Sequence, residues 1–409
     1  MARPPARNII LIVFDYMGYG DMAPFGAGAA TPNIARLAAA GAVYTDAYAA
    51  APICGPSRAA LMTGLYPRRL GLESNIQPGQ PGLPTSQPTL PRRFADAGFR
   101  TGLSGKWHLG YTADDSPNAH GFDHFLGFNA WNIDYYSHRL RDGGNGLFLD
   151  GLPVDRPGYT TDLFTDDAID FISAAAPAPF FLYLSFNAML PPYAPPGHDD
   201  DPAARDRWQS WSAADYRAAV AHLDHSVGRI EAALRAHDLT DHSLLAITCD
   251  HGGAELADSG AFSGGFASLR EGGLRVPLIL SWPAAIPAGQ RHTEPVMLMD
   301  LTATLLAAAN LPADGVTDGH DLFAGEHTAE RDLLWRIDRS ARPVPGPTHD
   351  QWAVRRGTWK FLHEAGRDQL FDLASDPGES RNLSRRYPAL TGQLRDLVMG
   401  DWPTVGARA

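Results

Sequence analysis

Two apolar runs constrain the fold of this chain more than any other feature. Asn8-Ile-Ile-Leu-Ile-Val-Phe14 and Ser243-Leu-Leu-Ala-Ile-Thr-Cys249 each stop at an aspartate, Asp15 or Asp250, and a glycine follows within three residues. A strand that is apolar on both faces has to be covered on both, which is the condition of a strand inside an α/β sheet. Sites in open sheets of this kind are built at the C-terminal strand ends, so both aspartates stand where a site is expected. Further strands are predicted near Arg100 to Ser104 and from Pro179 to Phe186. Helices are predicted over Thr31 to Gly41, Thr89 to Ala97, Thr161 to Ala174, Tyr216 to His237 and Met299 to Ala309, the fourth with Val220, Leu223, Val227, Ile230 and Leu234 spaced at three and four. This alternation specifies an α/β fold, a sheet sandwiched by helices. Near the C-terminus, Gln369 to Leu383 has the short-strand pattern of an antiparallel sheet and Pro388 to Met399 reads as a final helix.

The stretch Ile53-Cys54-Gly55-Pro56-Ser57-Arg58, closed by Gly64, reads as a short helix capped by Gly55 with Pro56 in its first position. Cys54 then lies at a helix N-terminus. That position favours a thiolate and an anionic ligand, and Arg58 one turn along is placed to grip the same anion. A lone cysteine is ordinarily a buried packing residue. Asp250 and His251, side by side after a strand, are ordinary metal-ligand chemistry. Lys106 and His108 alternate with Trp107, so in an extended segment both polar side chains face one side. Trp131, Tyr135, Tyr136 and His138 are aromatic candidates either for packing or for a substrate pocket.

At 409 residues and a formal charge of −12, the chain is long enough for one large domain and a smaller one, and its acidity argues against nucleic acid as a partner. Two cysteines, Cys54 and Cys249, exclude a disulfide framework and leave a single bridge open. The apolar run after Arg7 is shorter than a leader's and ends in Asp15, and no run reaches membrane-spanning length. A cytoplasmic protein with no membrane partner is the expectation.

Cys54-Gly55-Pro56-Ser57-Arg58 followed by Ala-Ala-Leu-Met-Thr-Gly64 resembles the signature of the type I sulfatase family. Other segments are similar to that family as well: the opening strand into Asp15, Thr31-Pro-Asn-Ile-Ala-Arg-Leu-Ala38, Gly105-Lys-Trp-His-Leu-Gly110, His120 to Gly127, Asp250-His-Gly-Gly253, Glu271 to Leu280, and the C-terminal strings from Trp352 to Leu362 and from Gln369 to Leu383. The resemblance spans Asn8 to about Met399. It implies an alkaline-phosphatase-like fold, with a catalytic α/β domain over 1–325 and a smaller α+β subdomain over 326–409. It also implies a hydrolase of sulfate esters whose Cys54 is oxidised to formylglycine by a separate formylglycine-generating enzyme. One hydroxyl of the hydrated aldehyde attacks sulfur and the other later expels the sulfate. Carried over by position, Cys54, Arg58, Lys106 and His108 are the catalytic residues, and Asp15, Cys54, Asp250 and His251 hold one divalent cation, Ca²⁺, Mn²⁺ or Zn²⁺. The substrate implied is a small anionic ester.

Three positions depart from the family's pattern. Tyr16 stands where a second metal-binding acid is usual, Leu190 where a leaving-group histidine is usual, and Phe266 where a sulfate-binding lysine is usual. Histidine at 251 is also common in relatives that act on phosphonate monoesters and phosphodiesters. Two further readings are therefore kept beside the first: a phosphodiester or phosphonate monoester hydrolase, and a reassigned biosynthetic enzyme or binding protein with an unmodified Cys54.

Overall fold

The run predicted as a covered strand forms β1 (Asn8–Phe14), and all of its residues are buried. In the computed structural model the described residues are 4–26, 30–191, 195–197, 212–313, 317–324, 331–337 and 350–400. The remaining strands of the main sheet are β2 (Ala42–Tyr48), β3 (Arg100–Lys106), β4 (His124–Phe128), β5 (Phe148–Leu149), β6 (Leu152–Pro153), β7 (Phe180–Ser185), β8 (Ser243–Cys249), β9 (Arg275–Ser281), β10 (Gln290–His292) and β11 (Val296–Met297). Among the described residues they make an eleven-stranded sheet in the order β10-β2-β9-β8-β1-β7-β3-β4-β5-β6, with β11 paired to β2. Its centre, β8-β1-β7-β3-β4, is parallel throughout. β9 runs antiparallel to both β8 and β2.

This order places β1 between β8 and β7, and the chain leaves β1 for β2 on one side before returning to β3 on the other. Such a reversal opens a crevice at the carboxyl ends of the strands. The register is equally informative. Phe14 pairs with Cys249, so the next residue of each strand, Asp15 and Asp250, emerges at the same level.

The helices are α1 (Pro32–Ala39), α2 (Cys54–Thr63), α3 (Leu90–Asp96), α4 (Thr160–Ala175), α5 (Ala213–Ala236), α6 (Glu271–Leu274), α7 (Asp300–Ala308) and α8 (Pro388–Met399). α1 and α4 pack on α5, while α2 and α3 pack on α7; α3 and α4 both rest on β3 and β7. The sheet is thus covered on both faces, as its apolar strands require. α2 begins two residues earlier than its sequence suggests. Its N-cap is Ile53, held extended at φ −142 and ψ 153, and Gly55 is inside the first turn instead of capping it. The terminus expected at Gly64 is present, in the left-handed conformation at φ 76. Cys54 is consequently the first helical residue.

A second sheet, β12 (Asp332–Ile337), β13 (Gln351–Arg356), β14 (Trp359–Glu364) and β15 (Arg367–Asp372), is antiparallel, and α8 packs on it. The division expected between Gly325 and Glu326 lies outside the described residues. Buried ion pairs fasten the second sheet to the first. Lys360 Nζ lies 2.8 Å from Glu271 Oε1 and 2.9 Å from Glu379 Oε1, and Arg355 Nη2 lies 2.6 Å from Asp46 Oδ2. Glu271 opens α6, whose Gly273 carbonyl accepts a hydrogen bond of 3.0 Å from Gly252 N–H. The small sheet therefore braces the residue that follows His251.

β3 can approach β7 only through a residue without a side chain. At Gly105, φ is 115, and a Cβ there would meet Ser185 O at 1.9 Å. Gly105→Ala is expected to cost about 3 kcal/mol or more, from overpacking together with the left-handed backbone. A urea melt of the variant with a midpoint equal to the wild type would contradict this.

Candidate active site

Four strand ends and one helix start deliver the site. Asp15 follows β1, Asp250 and His251 follow β8, Lys106 ends β3, Ser185 ends β7, and Cys54 starts α2. Asp15, Arg58, Lys106, His108, Asp250 and His251 are fully buried and Cys54 is nearly so. The backbone fixes the two aspartates directly: Asp250 N–H donates to Phe14 O at 3.1 Å and Asp15 N–H to Ala188 O at 3.0 Å.

Each carboxylate turns one oxygen to a cation and the other to a shared centre. Asp15 Oδ2 accepts from Lys106 Nζ and lies 3.4 Å from Arg58 Nη2. Asp250 Oδ2 accepts from Arg58 Nε at 2.9 Å. On the other side, His251 Nε2 lies 3.5 Å from both Asp15 Oδ1 and Asp250 Oδ1, and 3.2 Å from Cys54 Sγ. His251 Nδ1 is 2.8 Å from Gly252 O. A carbonyl can only accept, so Nδ1 carries a proton and Nε2 is the ring nitrogen turned to the centre. Two carboxylate oxygens, an imidazole nitrogen and the Cys54 thiol thus face one another. Asp250 Oδ1 has no hydrogen-bond partner although it is buried.

The residues fit a divalent cation. The four ligand atoms of Asp15, Cys54, Asp250 and His251 lie within 4.8 Å of one another. Donors on opposite sides of an ion at about 2.0–2.4 Å are separated by about 4–4.8 Å, so one ion can reach all four. Converging acceptors that cannot satisfy one another are the arrangement a cation resolves.

Arg58 is less open to an anion than its helical position suggests. Besides Asp250 and Asp15, it donates from Nη1 to Ser185 Oγ at 2.6 Å, Tyr183 Oη at 3.1 Å and Lys106 O at 3.3 Å. It holds both carboxylates in position. Tyr183 and Ser185 had a legible signal that sequence reasoning passed over: they alternate on β7 and Ser185 ends that strand, just as Asp15 follows β1.

His108 also departs from its expected setting. β3 ends at Lys106, and His108 has φ 58, so a turn and not strand alternation sets its ring. Trp107 packs against His120 and Phe122 and donates Nε1–H to Asp115 O at 2.9 Å. Neither ring nitrogen of His108 has a hydrogen-bond partner. Burial, then Lys106 and Arg58, push its pKa well down, so the ring is neutral at pH 7.

Burial and the neighbouring Asp15 push the Cys54 thiol up, against Lys106 and Arg58, which overturns the thiolate expected of a helix N-terminus. The first turn's dipole is outweighed by desolvation and two carboxylates. Asp15 is raised by burial and by Asp250. For Asp250, burial acts in the opposite sense but His251, Arg58 and Lys106 together hold the carboxyl low. Cys54 and Cys249 are both free and buried, so the possible bridge is absent. Tyr135 and His138 are packing residues, their side chains bonded to Leu190 O at 2.8 Å and Gly158 O at 2.8 Å. Trp131 is exposed.

Of the residues at the three unusual positions, Tyr16 and Phe266 lie beside this centre. The Tyr16 ring stands edge-on to His251, with centroids 4.7 Å apart, and is 4.4 Å from Phe266. Leu190 is buried on the segment whose Ala188 carbonyl holds Asp15 N–H.

A family model described as Sulfatase matches residues 7–311. N-acetylgalactosamine-6-sulfatase of Mus musculus is 33% identical over 351 residues, covering 78% of this chain and 66% of that protein, just under two thirds of its length. Steryl-sulfatase of Mus musculus is 32% identical over 521 residues, covering 97% of this chain and 81% of that protein. The crystal structure of Ps i-CgsB in complex with k-i-k-neocarrahexaose superposes with a TM-score of 0.85 at 30% identity, covering 96% of this chain and 92% of that one. The main sheet, its helices and the small antiparallel sheet match this architecture. Among the described residues, no helix is long and apolar enough to cross a membrane.

Asp250→Asn is expected to lower the affinity for Mn²⁺ or Zn²⁺ by about 100-fold, measured by calorimetry on metal-stripped protein. Because the Asp15 carboxyl is raised, a cation competes with a proton for it, so wild-type affinity should fall as the solution is acidified. An affinity independent of pH would contradict that assignment.

Proposed function

The chain belongs to the sulfatase family, and from that premise we propose that it is a metal-dependent sulfuric ester hydrolase whose nucleophile is made from Cys54. The observation that carries this reading is the convergence of Cys54 Sγ with Asp15 Oδ1, Asp250 Oδ1 and His251 Nε2, backed by two buried cations. Asp15, Asp250, His251 and residue 54 would hold one divalent ion. With an imidazole in the donor set, Mn²⁺ or Zn²⁺ suits them better than Ca²⁺, which favours oxygen alone. The ion would supply Lewis acidity, and the hydrated aldehyde of a converted Cys54 would supply an oxygen nucleophile in place of the thiol. The conversion calls for a formylglycine-generating enzyme as a maturation partner.

The protein's own residues divide the remaining work. Two carboxylates and two cations leave these four groups without net charge, so a bound divalent cation makes the centre positive and draws in an anionic ester. Lys106 and Arg58 hold the carboxylates and balance charge on the transferred group. His108, neutral and buried with both nitrogens unpaired, can give one hydrogen bond to a sulfate oxygen or to residue 54 and accept another. Burial of all these groups excludes bulk water and strengthens each interaction.

After co-expression with a formylglycine-generating enzyme, peptide mass spectrometry should find the aldehyde at position 54. Cys54→Ala should lower kcat on sulfate esters by about 1,000-fold or more. An unmodified Cys54 in an enzyme that hydrolyses sulfate esters at full rate would overturn this reading.

A further inference from the structure

We propose that Tyr16 and Phe266 form an aromatic wall that receives a planar organic group, so that the substrates are sulfate esters of phenols and not of sugar alcohols. This rests on the sulfuric ester hydrolase reading and narrows it.

The wall touches the centre on one side. Tyr16 directly follows Asp15 and is held at φ 59, a left-handed conformation that a bulky side chain adopts only where its surroundings impose it. Its ring lies 4.7 Å from His251 at 78° and 4.4 Å from Phe266 at 34°, and Phe266 lies 5.1 Å from His251. Phe266 also lines a cavity of about 440 Å³. The cavity's other lining residues include Gly253, Ala254, Ala257 and Gly265, with Glu255 and Ser259 as its polar side chains. A flat aromatic group fits such a wall at the ordinary centroid spacing of roughly 4.5–7 Å. A sugar would bring several hydroxyl groups to a lining with few side chains to pair them, and unpaired polar groups cost affinity.

The other side of Asp15 points to the same class. Ala188 O accepts from Asp15 N–H at 3.0 Å, and the next two residues, Met189 and Leu190, are buried. Neither can give a proton to a departing oxygen. When the new oxygen–sulfur bond forms, the old one breaks with its electron pair on the ester oxygen, and the attacking hydroxyl's proton passes to Asp15 Oδ1, the carboxylate oxygen 3.7 Å from Cys54 Sγ. A phenol, with a pKa of about 10, can leave as phenolate without assistance; a sugar alkoxide needs that proton.

The test compares wild type, Phe266→Leu, Phe266→Ala and Phe266→Tyr on 4-methylumbelliferyl sulfate and on glucosamine 6-sulfate, and titrates 4-methylumbelliferone into each protein by fluorescence. The wild type should favour the aryl ester by about 100-fold in kcat/KM. Phe266→Leu should raise the aryl KM and weaken umbelliferone binding about tenfold, while Phe266→Tyr stays within about threefold of wild type. If Phe266→Ala does not fold, the volume-conserving leucine variant carries the comparison. A preference for the sugar ester, or umbelliferone binding unchanged by Phe266→Leu, overturns the proposal. Should neither ester be hydrolysed, the hydrolase reading fails separately. The umbelliferone titration then decides the wall: loss of binding in Phe266→Leu upholds it and unchanged binding overturns it.

Discussion

Four buried charges at the carboxyl ends of parallel strands set the terms for the rest of this molecule. Asp15 and Asp250 would each be strongly destabilising alone in a water-free interior, and so would Arg58 and Lys106. Together they are tolerable because the geometry is close: Arg58 bridges both carboxylates and Lys106 bonds Asp15. Removing one partner from such a set typically costs about 3–5 kcal/mol, because it strands the other. Two features of the larger fold hold this set in register. The pairing of Phe14 with Cys249 levels the aspartates, and glycine at 105 lets the strand carrying Lys106 press against β7.

The arrangement explains why much of the site was legible in the sequence. Asp15 and Asp250 end apolar strands, and the strand-end rule alone marks both. Cys54, His251 and Lys106 followed from short motifs whose local backbone is set by neighbouring residues. What escaped was whatever depends on long-range packing. Arg58 looks like an anion clamp when only α2 is considered, and becomes a carboxylate bridge once β7 supplies Tyr183 and Ser185. His108 looks like a strand residue until β3 is seen to end at Lys106. The helix start slipped by two because the cap rule points to Gly55 and Pro56, whereas the backbone already turns helical after the extended Ile53, which makes no side-chain cap hydrogen bond. The thiolate expected of Cys54 failed for a related reason: a helix terminus acts locally, whereas desolvation comes from the whole interior.

The second sheet takes part in this arrangement at a distance. Lys360 and Glu379 clasp Glu271, Tyr48 Oη donates to Glu271 Oε2 at 2.6 Å, and α6 then places Gly273 O against Gly252 N–H. Burial, joined by the neighbouring Glu271, raises the pKa of Glu379 against the opposing pull of Lys360. The contact is therefore not optimised for stability in isolation. Its consequence is positional, since Gly252 is the residue whose carbonyl fixes the His251 tautomer. A chain segment about a hundred residues downstream thus reaches the imidazole through one turn of backbone.

The centre is asymmetric, and the asymmetry carries chemical meaning. On one side lie Lys106, Arg58 and the carboxylates they hold; on the other lie Tyr16 and Phe266, which carry no formal charge and press their rings on His251. A ligand that is anionic at one end and flat at the other matches both sides at once, whereas a uniformly polar ligand would lose hydrogen bonds against the aromatic side. Tyr16 at φ 59 is informative here, because a bulky residue in that conformation is unfavourable unless its surroundings over-determine it. The surroundings that do so are His251 and Phe266. The Tyr16 and Phe266 rings and the His251 imidazole are therefore parts of one packed unit, so a wall that received the organic half of a ligand would also steady the nitrogen that faces the centre.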